Sequence, residues 1–230
     1  MKDFSLLEKK LGVTFNNQDL LVNALTHRSY LNENPKFHLP HNERLEFLGD
    51  AVLELAVTKY LYNTFPDPEG ELTNWRAALV NAIMLSGVTE ELDIEDFLLL
   101  SKGEAKDKGS KARLYILANA FEAIVGAIYL DRDFEAAEKF IEKVLLWRLK
   151  DIIEKKLYLD PKSRFQEAAQ EYAQVTPNYK VLEESGPDHA KHFRVGVYLN
   201  DEFVADGEGT SKQEAQVQAA ARGLEFKGWQ

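Results

Sequence analysis

One stretch of the chain, residues 42–54, alternates acidic and apolar side chains at the spacing of an α-helix. Successive helical residues are rotated by about 100°, so side chains three or four positions apart share a face. The stretch therefore predicts a half-buried helix with an acidic stripe. Its acidic face is predicted to carry Glu43, Glu46, Asp50 and Glu54, and its apolar face Leu45, Leu48, Val52 and Leu55.

The acidic stripe has two explanations. Like charges three or four residues apart on a helix repel one another by a few tenths of a kcal/mol per pair, so such a row requires solvent or a counter-charge. Glutamate is common in helices, and an ordinary solvated face needs no ligand. A hard divalent cation is the alternative partner, because it binds carboxylate oxygens. The stripe alone leaves both explanations open.

Glycines within the helical patterns favour the cation site. Gly49 lies inside the predicted helix, where glycine costs about 1 kcal/mol relative to alanine, which indicates close packing against another element. A second predicted helix, over residues 117–129, carries Asn119, Glu122 and Gly126 on one face. Two helices that present oxygen ligands beside small residues can pack closely and surround one site.

The composition excludes several classes of protein. A chain of 230 residues that is 45% hydrophobic can bury a large core in one or two domains. It has no cysteine, which excludes disulfides, thiolate zinc sites and a cysteine nucleophile. The apolar runs are short and the first residues are polar, so we expect no membrane span, no secretory signal and a cytoplasmic location. Nothing in the sequence points to an organic cofactor.

The net charge of −10 argues against a polyanionic partner, because nucleic-acid binders owe much of their affinity to basic surface. Acids gathered at a metal site would account for part of the excess. The basic residues also cluster just before the second predicted helix, at Lys102, Lys106, Lys108, Lys111 and Arg113.

Residues 1–156 are predicted to form an all-α domain. Apolar residues recur at helical spacing throughout this part of the chain, and no run favours a strand. Beyond the two helices already described, the longest predicted helices cover Glu71–Ser86 and Phe134–Lys156.

Residues 157–230 are predicted to form a small α+β domain. Asp160 followed by Pro161 is typical of a helix start, with Asp as the cap and Pro in the first turn. Three strand-like runs and a final helix follow, and Asn200-Asp201 suits a two-residue hairpin turn. The order α-β-β-β-α predicts a three-stranded antiparallel sheet with both helices on one face.

The segment His41–Leu53 resembles the signature motif of the ribonuclease III family. Other parts of the first domain resemble the same family: Leu25–Ser29, Glu69-Gly70, the basic cluster and Phe121–Tyr129. The second domain resembles the double-stranded-RNA-binding domain that follows in that family, at Asp160–Glu167, Gly186–Ala190 and Gly207–Lys212. The resemblance thus implies an endonuclease domain followed by an RNA-binding domain. Taken alone, His27 is expected to be a hydrogen-bonded structural histidine.

The resemblance implies an activity. The family hydrolyses phosphodiester bonds of double-stranded RNA with Mg²⁺, for which Mn²⁺ can substitute, and leaves 5′-phosphate and 3′-hydroxyl ends. It works as a homodimer and matures ribosomal-RNA precursors and other RNAs, including messenger RNA.

The resemblance also implies roles for individual residues. Glu46, Asp50 and Glu122 would be metal-coordinating acids, with Asp50 and Glu122 catalytic, and Asn119 occupies the fourth ligand position. Supporting acids would be Glu43 and Glu69, and Phe47 would pack across the dimer interface. In the RNA-binding domain, the contacts would come from Gln166, Glu167, His189, Ser211, Lys212 and Gln213.

The chain departs from the family's pattern at two places. Asn119 stands where an aspartate is more usual, which removes one negative charge, and we expect activity with weaker Mg²⁺ affinity. Residues 160–230 contain 8 Lys and Arg against 12 Asp and Glu, a net charge of −4, and Gln213 stands where a second lysine commonly follows Lys212. We therefore expect weaker RNA binding with a shallower salt dependence.

Two other readings stay open at this point. A protein that binds structured RNA without cutting it would be consistent with Asn119 and the acidic second domain, although the three carboxylates argue against it. A helical protein-interaction module with an acidic face would leave the two glycine-bearing helices and the RNA-binding tail unexplained.

Overall fold

A computed structural model describes residues 3–187 and 190–229 of the protein. The chain forms two compact units that divide between Ile152 and Ile153. This division falls close to the domain boundary expected at residues 156 and 157.

The first unit is helical, as predicted. Within the described residues, its only strand-like pairing is an isolated β-bridge between Thr26 and Leu99. Its helices are α1 (Phe4–Leu11), α2 (Gln18–Ala24), α3 (Arg28–Glu33), α4 (Glu43–Thr64), α5 (Glu69–Leu79), α6 (Ala82–Glu91), α7 (Lys102–Lys106), α8 (Lys111–Asp131) and α9 (Phe134–Val144), followed at the boundary by α10 (Leu149–Glu154). Short 3₁₀ turns cover Ile94–Phe97 and Leu146–Arg148.

Helices α4 and α8 form the centre of the first unit. Side chains of α8 are buried on nearly all sides, among them Leu117, Phe121, Ile124 and Ile128. A helix that is apolar all round belongs in the core, and each fully buried large side chain contributes about 1.5–3 kcal/mol. By length and composition alone α8 is also long and apolar enough to cross a bilayer, but more than half of its apolar window is buried inside the protein.

Some helix boundaries in the first unit differ from those predicted. The helix predicted over Glu71–Ser86 is two helices, because the chain breaks after Leu79 and Asn81 caps α6 by accepting a hydrogen bond from the backbone N–H of Met84. The helix predicted over Phe134–Lys156 also breaks, at Leu145, and continues through a 3₁₀ turn into α10. In both places the apolar spacing runs through the break, so the pattern alone concealed it.

The second unit has the predicted order of elements. Helix α11 (Pro161–Ala168) continues as a π-helical turn over Ala169–Ala173, and the strands β1 (Pro177–Ser185), β2 (His192–Leu199) and β3 (Glu202–Gly209) precede α12 (Lys212–Lys227). As predicted, Asp160 caps α11 and Pro161 lies in its first turn. The sheet is antiparallel with the order β1-β2-β3, and Asn200 takes a left-handed conformation in the turn between β2 and β3.

Both helices of the second unit cover one face of the sheet. Phe165 of α11, Val197 of β2, Val204 of β3 and Leu224 of α12 belong to a single buried cluster. The fold class predicted from the sequence, an all-α domain followed by a small α-β-β-β-α domain, is therefore confirmed.

Candidate metal centre and RNA interface

Helices α4 and α8 cross at two glycines. A Cβ atom on Gly49 would lie 1.7 Å from the backbone oxygen of Glu122, and one on Gly126 would lie 2.4 Å from the backbone oxygen of Leu45. Real Cβ atoms do not approach backbone so closely, so both positions require glycine. The crossing brings the backbone of Glu122 against α4 between Glu46 and Asp50, the residues three before and one after Gly49.

The three carboxylates of this crossing share one electrostatic environment, which we call the acid cluster: Glu46, Asp50 and Glu122. Burial raises the pKa of Glu122 to about 7, and the negative charges of Asp50 and Glu46 add to the effect. The pKa of Glu46 is also raised, first by burial and then by the charges of Glu43 and Asp50. The charge of Asp50 thus opposes ionisation of both Glu46 and Glu122, and a cation bound among the three carboxylates would relieve this repulsion.

Asn119 belongs to the same place. Its side chain donates a hydrogen bond to the carboxylate of Glu46, and this contact favours the charged form of Glu46. Asn119 lies one turn before Glu122 on α8, so both side chains leave the helix on the same face. The structure therefore brings together all four residues predicted to be metal ligands.

The side chains of the acid cluster and Asn119 have the chemistry that a hard divalent cation requires. Three carboxylates and an amide supply the oxygen ligands that Mg²⁺ prefers. In residues 3–187 and 190–229, no three His, Cys, Asp or Glu side chains are placed so that they could hold a metal ion together as they stand. Because Mg²⁺ keeps several waters and usually takes only one or two carboxylates directly, this spacing agrees with a hydrated ion.

Glu43 lies at the edge of the acid cluster. It is the first residue of α4, and its carboxylate forms an ion pair with Arg28 at 3.6 Å and lies 3.7 Å from His41 Nδ1. Its charge also raises the pKa of Glu46. The motif-based prediction did not assign any role to Arg28 or His41. The sequence signal was present in both cases, since each residue lies in a segment that resembles the family.

Glu69 lies elsewhere in the chain. It is exposed in the first turn of α5 and lines a cavity of about 680 Å³ with Thr58, Leu61 and Tyr62 of α4. At a rise of about 1.5 Å per residue, that part of α4 is about 12–18 Å from Asp50 along the helix. A single chain therefore does not bring Glu69 into the acid cluster, and its supporting role stays a prediction.

The segment Leu25–Ser29 anchors the start of α4. The backbone oxygen of Thr26 accepts a hydrogen bond from the backbone N–H of Asn42, and the side chain of Asn42 donates to the backbone oxygen of Ala24. His27 caps α3 and its Nδ1 lies 2.8 Å from Ser29 Oγ. Burial also lowers the pKa of His27. His27 is thus hydrogen-bonded and caps a helix, as expected of a structural histidine.

One side of α4 is apolar and exposed. Phe47 is 82% exposed and Tyr62 78%. The prediction that Leu55 lies on the buried face of α4 is wrong, because Leu55 is 57% exposed and Leu53 is buried instead. The crossing at Gly49 sets the buried stripe of α4, and this stripe turns Leu55 toward the exposed surface. At about 100° per residue, Phe47, Leu55 and Tyr62 fall within about 80° of one another around α4, and we call these three residues the apolar face.

The predicted RNA contacts fall in three places of the second unit. Gln166 and Gln213 line one groove, together with Lys162 and Ser163. Glu167 instead pairs with Lys156 at 3.1 Å and lines a different pocket, beside Tyr172 and Trp229.

Two more of the predicted contacts, Ser211 and Lys212, lie at the N-terminus of α12. Ser211 caps α12 by accepting a hydrogen bond from the backbone N–H of Glu214, and Lys212 is the first residue of the helix. A helix N-terminus carries a partial positive charge that suits a phosphate. His189 lies outside the described residues.

Comparisons with known proteins agree with this architecture. Residues 17–149 match a family model described as ribonuclease-III-like, and residues 161–226 match the double-stranded RNA binding motif. The chain is 46% identical over 221 residues to Ribonuclease 3 of Carboxydothermus hydrogenoformans, covering 96% of this chain and 94% of that protein. It is also 46% identical over 219 residues to Ribonuclease 3 of Protochlamydia amoebophila, covering 95% of this chain and 89% of that protein.

A solved structure resembles the first unit. The nuclease domain of ribonuclease III from Campylobacter jejuni is 42% identical, covers 63% of this chain and 94% of that chain, and superposes with a TM-score of 0.56. A helical nuclease domain followed by a double-stranded-RNA-binding domain defines the class of protein. The chain belongs to the ribonuclease III family, and this membership supports an endoribonuclease that acts on double-stranded RNA.

Proposed function

We propose that the protein hydrolyses phosphodiester bonds of double-stranded RNA with Mg²⁺ and leaves 5′-phosphate and 3′-hydroxyl ends. The observation that carries the proposal is the glycine crossing of α4 and α8, which brings Glu46, Asp50 and Glu122 together in a chain that also has a double-stranded-RNA-binding domain. Mn²⁺ would substitute for Mg²⁺, because it accepts the same oxygen ligands.

The acid cluster and Asn119 would hold the metal ion. When bound, Mg²⁺ would supply Lewis-acid polarisation of the phosphate and a more acidic water. The amide of Asn119 donates a hydrogen bond to the carboxylate of Glu46, which partly offsets the rise in the pKa of Glu46. Asp50 is exposed, so its carboxylate is the one of the three most accessible to an approaching RNA backbone.

We also propose that the protein is a homodimer joined through the apolar face. Monomers rarely leave several large apolar side chains exposed in one region, and such surfaces usually contact a partner. A related solved structure, the nuclease domain from Campylobacter jejuni, is described as having a flexible region involved in dimer formation. Phe47 is the most exposed member of the apolar face and would pack across the interface.

Membership of the family supports a biological role as well. We propose that the protein acts in the cytoplasm and matures ribosomal-RNA precursors and other RNAs, including messenger RNA.

Cleavage of a long RNA duplex, with and without Mg²⁺, tests the proposed function. We expect discrete double-stranded products only with the metal, no cleavage of the same strand in single-stranded form, and no cleavage by Glu122→Gln. Product ends are identified by ligation, which requires 5′-phosphate, and by tailing, which requires 3′-hydroxyl. A chain that binds the duplex but never cuts it would support a binding-only protein, the alternative that Asn119 and the acidic second domain favour.

A further inference from the structure

A carboxylate lies between two lysines at the N-terminus of α12. Glu184 near the end of β1 approaches Lys191 Nζ at 2.8 Å through Oε1 and Lys212 Nζ at 3.9 Å through Oε2. The three residues come from different segments: the end of β1, the residue just before β2 and the first turn of α12. All three side chains are partly exposed.

The position of Lys212 gives this arrangement a functional meaning. Lys212 is the first residue of α12, where the helix dipole adds to its own positive charge. Its Nζ also lies 5.5 Å from the centre of the Phe193 ring, which holds the side chain beside the end of the sheet. A phosphate that approached this helix end would meet the same ammonium groups that Glu184 already contacts.

We propose that Glu184 occupies the place of an RNA phosphate and competes with RNA for Lys191 and Lys212. This inference rests on the proposed RNA-binding function, because it concerns the regulation of that same surface. Contact of Glu184 with both lysines would weaken RNA binding locally, in addition to the effect of the net negative charge of the second unit. Both ammonium groups lower the pKa of Glu184, so the competing carboxylate stays charged at neutral pH.

The size of the competition follows from exposure. Ion pairs between exposed side chains are weak, since solvent and salt screen them. Removing the charge of Glu184 should therefore tighten RNA binding by about two- to fivefold at low salt. The gain should shrink as the salt concentration rises.

Binding of the full chain to a duplex RNA in EDTA, where cleavage cannot occur, tests the inference. Glu184→Gln keeps the shape of the side chain and removes its charge. The matched control is Glu183→Gln, an equal charge change at the neighbouring position, where the side chain is exposed and interacts with Arg194 across the sheet. We expect tighter binding for Glu184→Gln, an unchanged Kd for Glu183→Gln, and no gain from Glu184→Gln when Lys191 and Lys212 are both alanine.

The outcomes separate this inference from the proposed function. If the wild-type chain binds the duplex and Glu184→Gln binds no more tightly than Glu183→Gln, the competition is overturned and the proposed function stands. A gain that survives replacement of both lysines also overturns it. If the wild-type chain does not bind at low salt, Glu184→Gln separates two cases. Restored binding supports both the competition and the proposed RNA recognition, and no binding by either chain contradicts both.

Discussion

Among single residues, Asn119 stands where the resemblance to the family leads us to expect an aspartate in the proposed metal site. Its amide donates a hydrogen bond to Glu46, which an ionised aspartate could not do. Asn119→Asp would add a fourth carboxylate to a cluster whose charges already oppose ionisation. We expect the concentration of Mg²⁺ at half-maximal cleavage to fall, on the order of tenfold, because ligand charge raises metal affinity.

A second measurement separates this effect from a structural one. Without metal, Asn119→Asp should be less stable than the wild type, because like charges are forced together, and Mg²⁺ should restore its stability. Asn119→Ala, which loses both the oxygen ligand and the hydrogen bond, is the control and should need more Mg²⁺ than the wild type. An unchanged Mg²⁺ requirement in the Asp variant would show that residue 119 acts only as a hydrogen-bonding neighbour.

Glu122 should make the stability of the metal-free protein depend on pH. Its pKa is raised from 4.5 to about 7, so the folded state holds the proton more tightly than the unfolded state. The free energy of unfolding therefore falls as pH rises from about 4.5 to about 7. Glu122→Gln removes this loss and should be more stable than the wild type at pH 8 by about 1–3 kcal/mol, after allowance for solvent screening.

Urea unfolding in a chelator at pH 5 and at pH 8 measures this effect. The advantage of Glu122→Gln should nearly disappear at pH 5, where Glu122 is protonated in the folded wild type. Glu142→Gln makes the same charge change at an exposed position of α9 and should show no such pH dependence. An equal advantage for Glu122→Gln at both pH values would contradict the raised pKa.

At the scale of secondary-structure elements, the crossing of α4 and α8 should tolerate no side chain at Gly49. A Cβ placed there would lie 1.7 Å from the backbone oxygen of Glu122, so the helices would have to move apart. We expect Gly49→Ala to lower the free energy of unfolding by about 3 kcal/mol or more. Thermal or urea unfolding measures the loss.

The matched control lies on another helix. A Cβ added at Gly87 in α6 would meet nothing within 4 Å, so Gly87→Ala should stabilise the protein by about 0.5–1 kcal/mol through helix propensity alone. If the two alanine variants behaved alike, close packing would not explain Gly49.

The elements differ in how well the sequence predicts them. The central helix and its partner were predictable because a glycine inside an otherwise regular helical pattern indicates a close crossing, as Gly49 and Gly126 do. The break before α6 was concealed because apolar spacing continues through Val80-Asn81, and the one local signal was Asn81 as a cap. The exposure of Leu55 depends on the angle at which α8 crosses α4, which helical periodicity does not contain. The ion pair between Glu43 and Arg28 is likewise set by tertiary packing, since the two residues lie on different helices.

At the scale of the whole molecule, the net charge of −10 has to be reconciled with an RNA substrate. Part of the negative charge belongs to the acid cluster, where a bound cation would compensate it. RNA recognition by shape and 2′-hydroxyl contacts needs less positive charge than recognition through phosphates alone. A metal ion at the acid cluster would therefore weaken the objection from composition in the first unit, whereas the second unit, with a net charge of −4 over residues 160–230, is expected to bind RNA weakly.

The proposed homodimer gives a prediction about the apolar face. In a symmetric dimer each substitution acts twice, because both protomers contribute the same residue. Burying a phenylalanine contributes about 1.5–3 kcal/mol, so Phe47→Ala should weaken the dimer by about 10²- to 10⁴-fold in Kd. Sedimentation at a series of concentrations measures this change, and cleavage activity should fall at the same concentrations at which the dimer dissociates.

Leu6→Ala provides the matched control. Leu6 is also an exposed large apolar residue, at 51%, but it lies on α1, outside the apolar face. It should leave the dimer Kd unchanged. If Phe47→Ala sedimented like the wild type at every concentration, Phe47 would not be part of the interface. If instead the variant became monomeric and cut duplex RNA at the full rate, each acid cluster would work without a partner subunit. Glu69, which is exposed and away from the acid cluster of its own chain, would then not act on cleavage through the dimer.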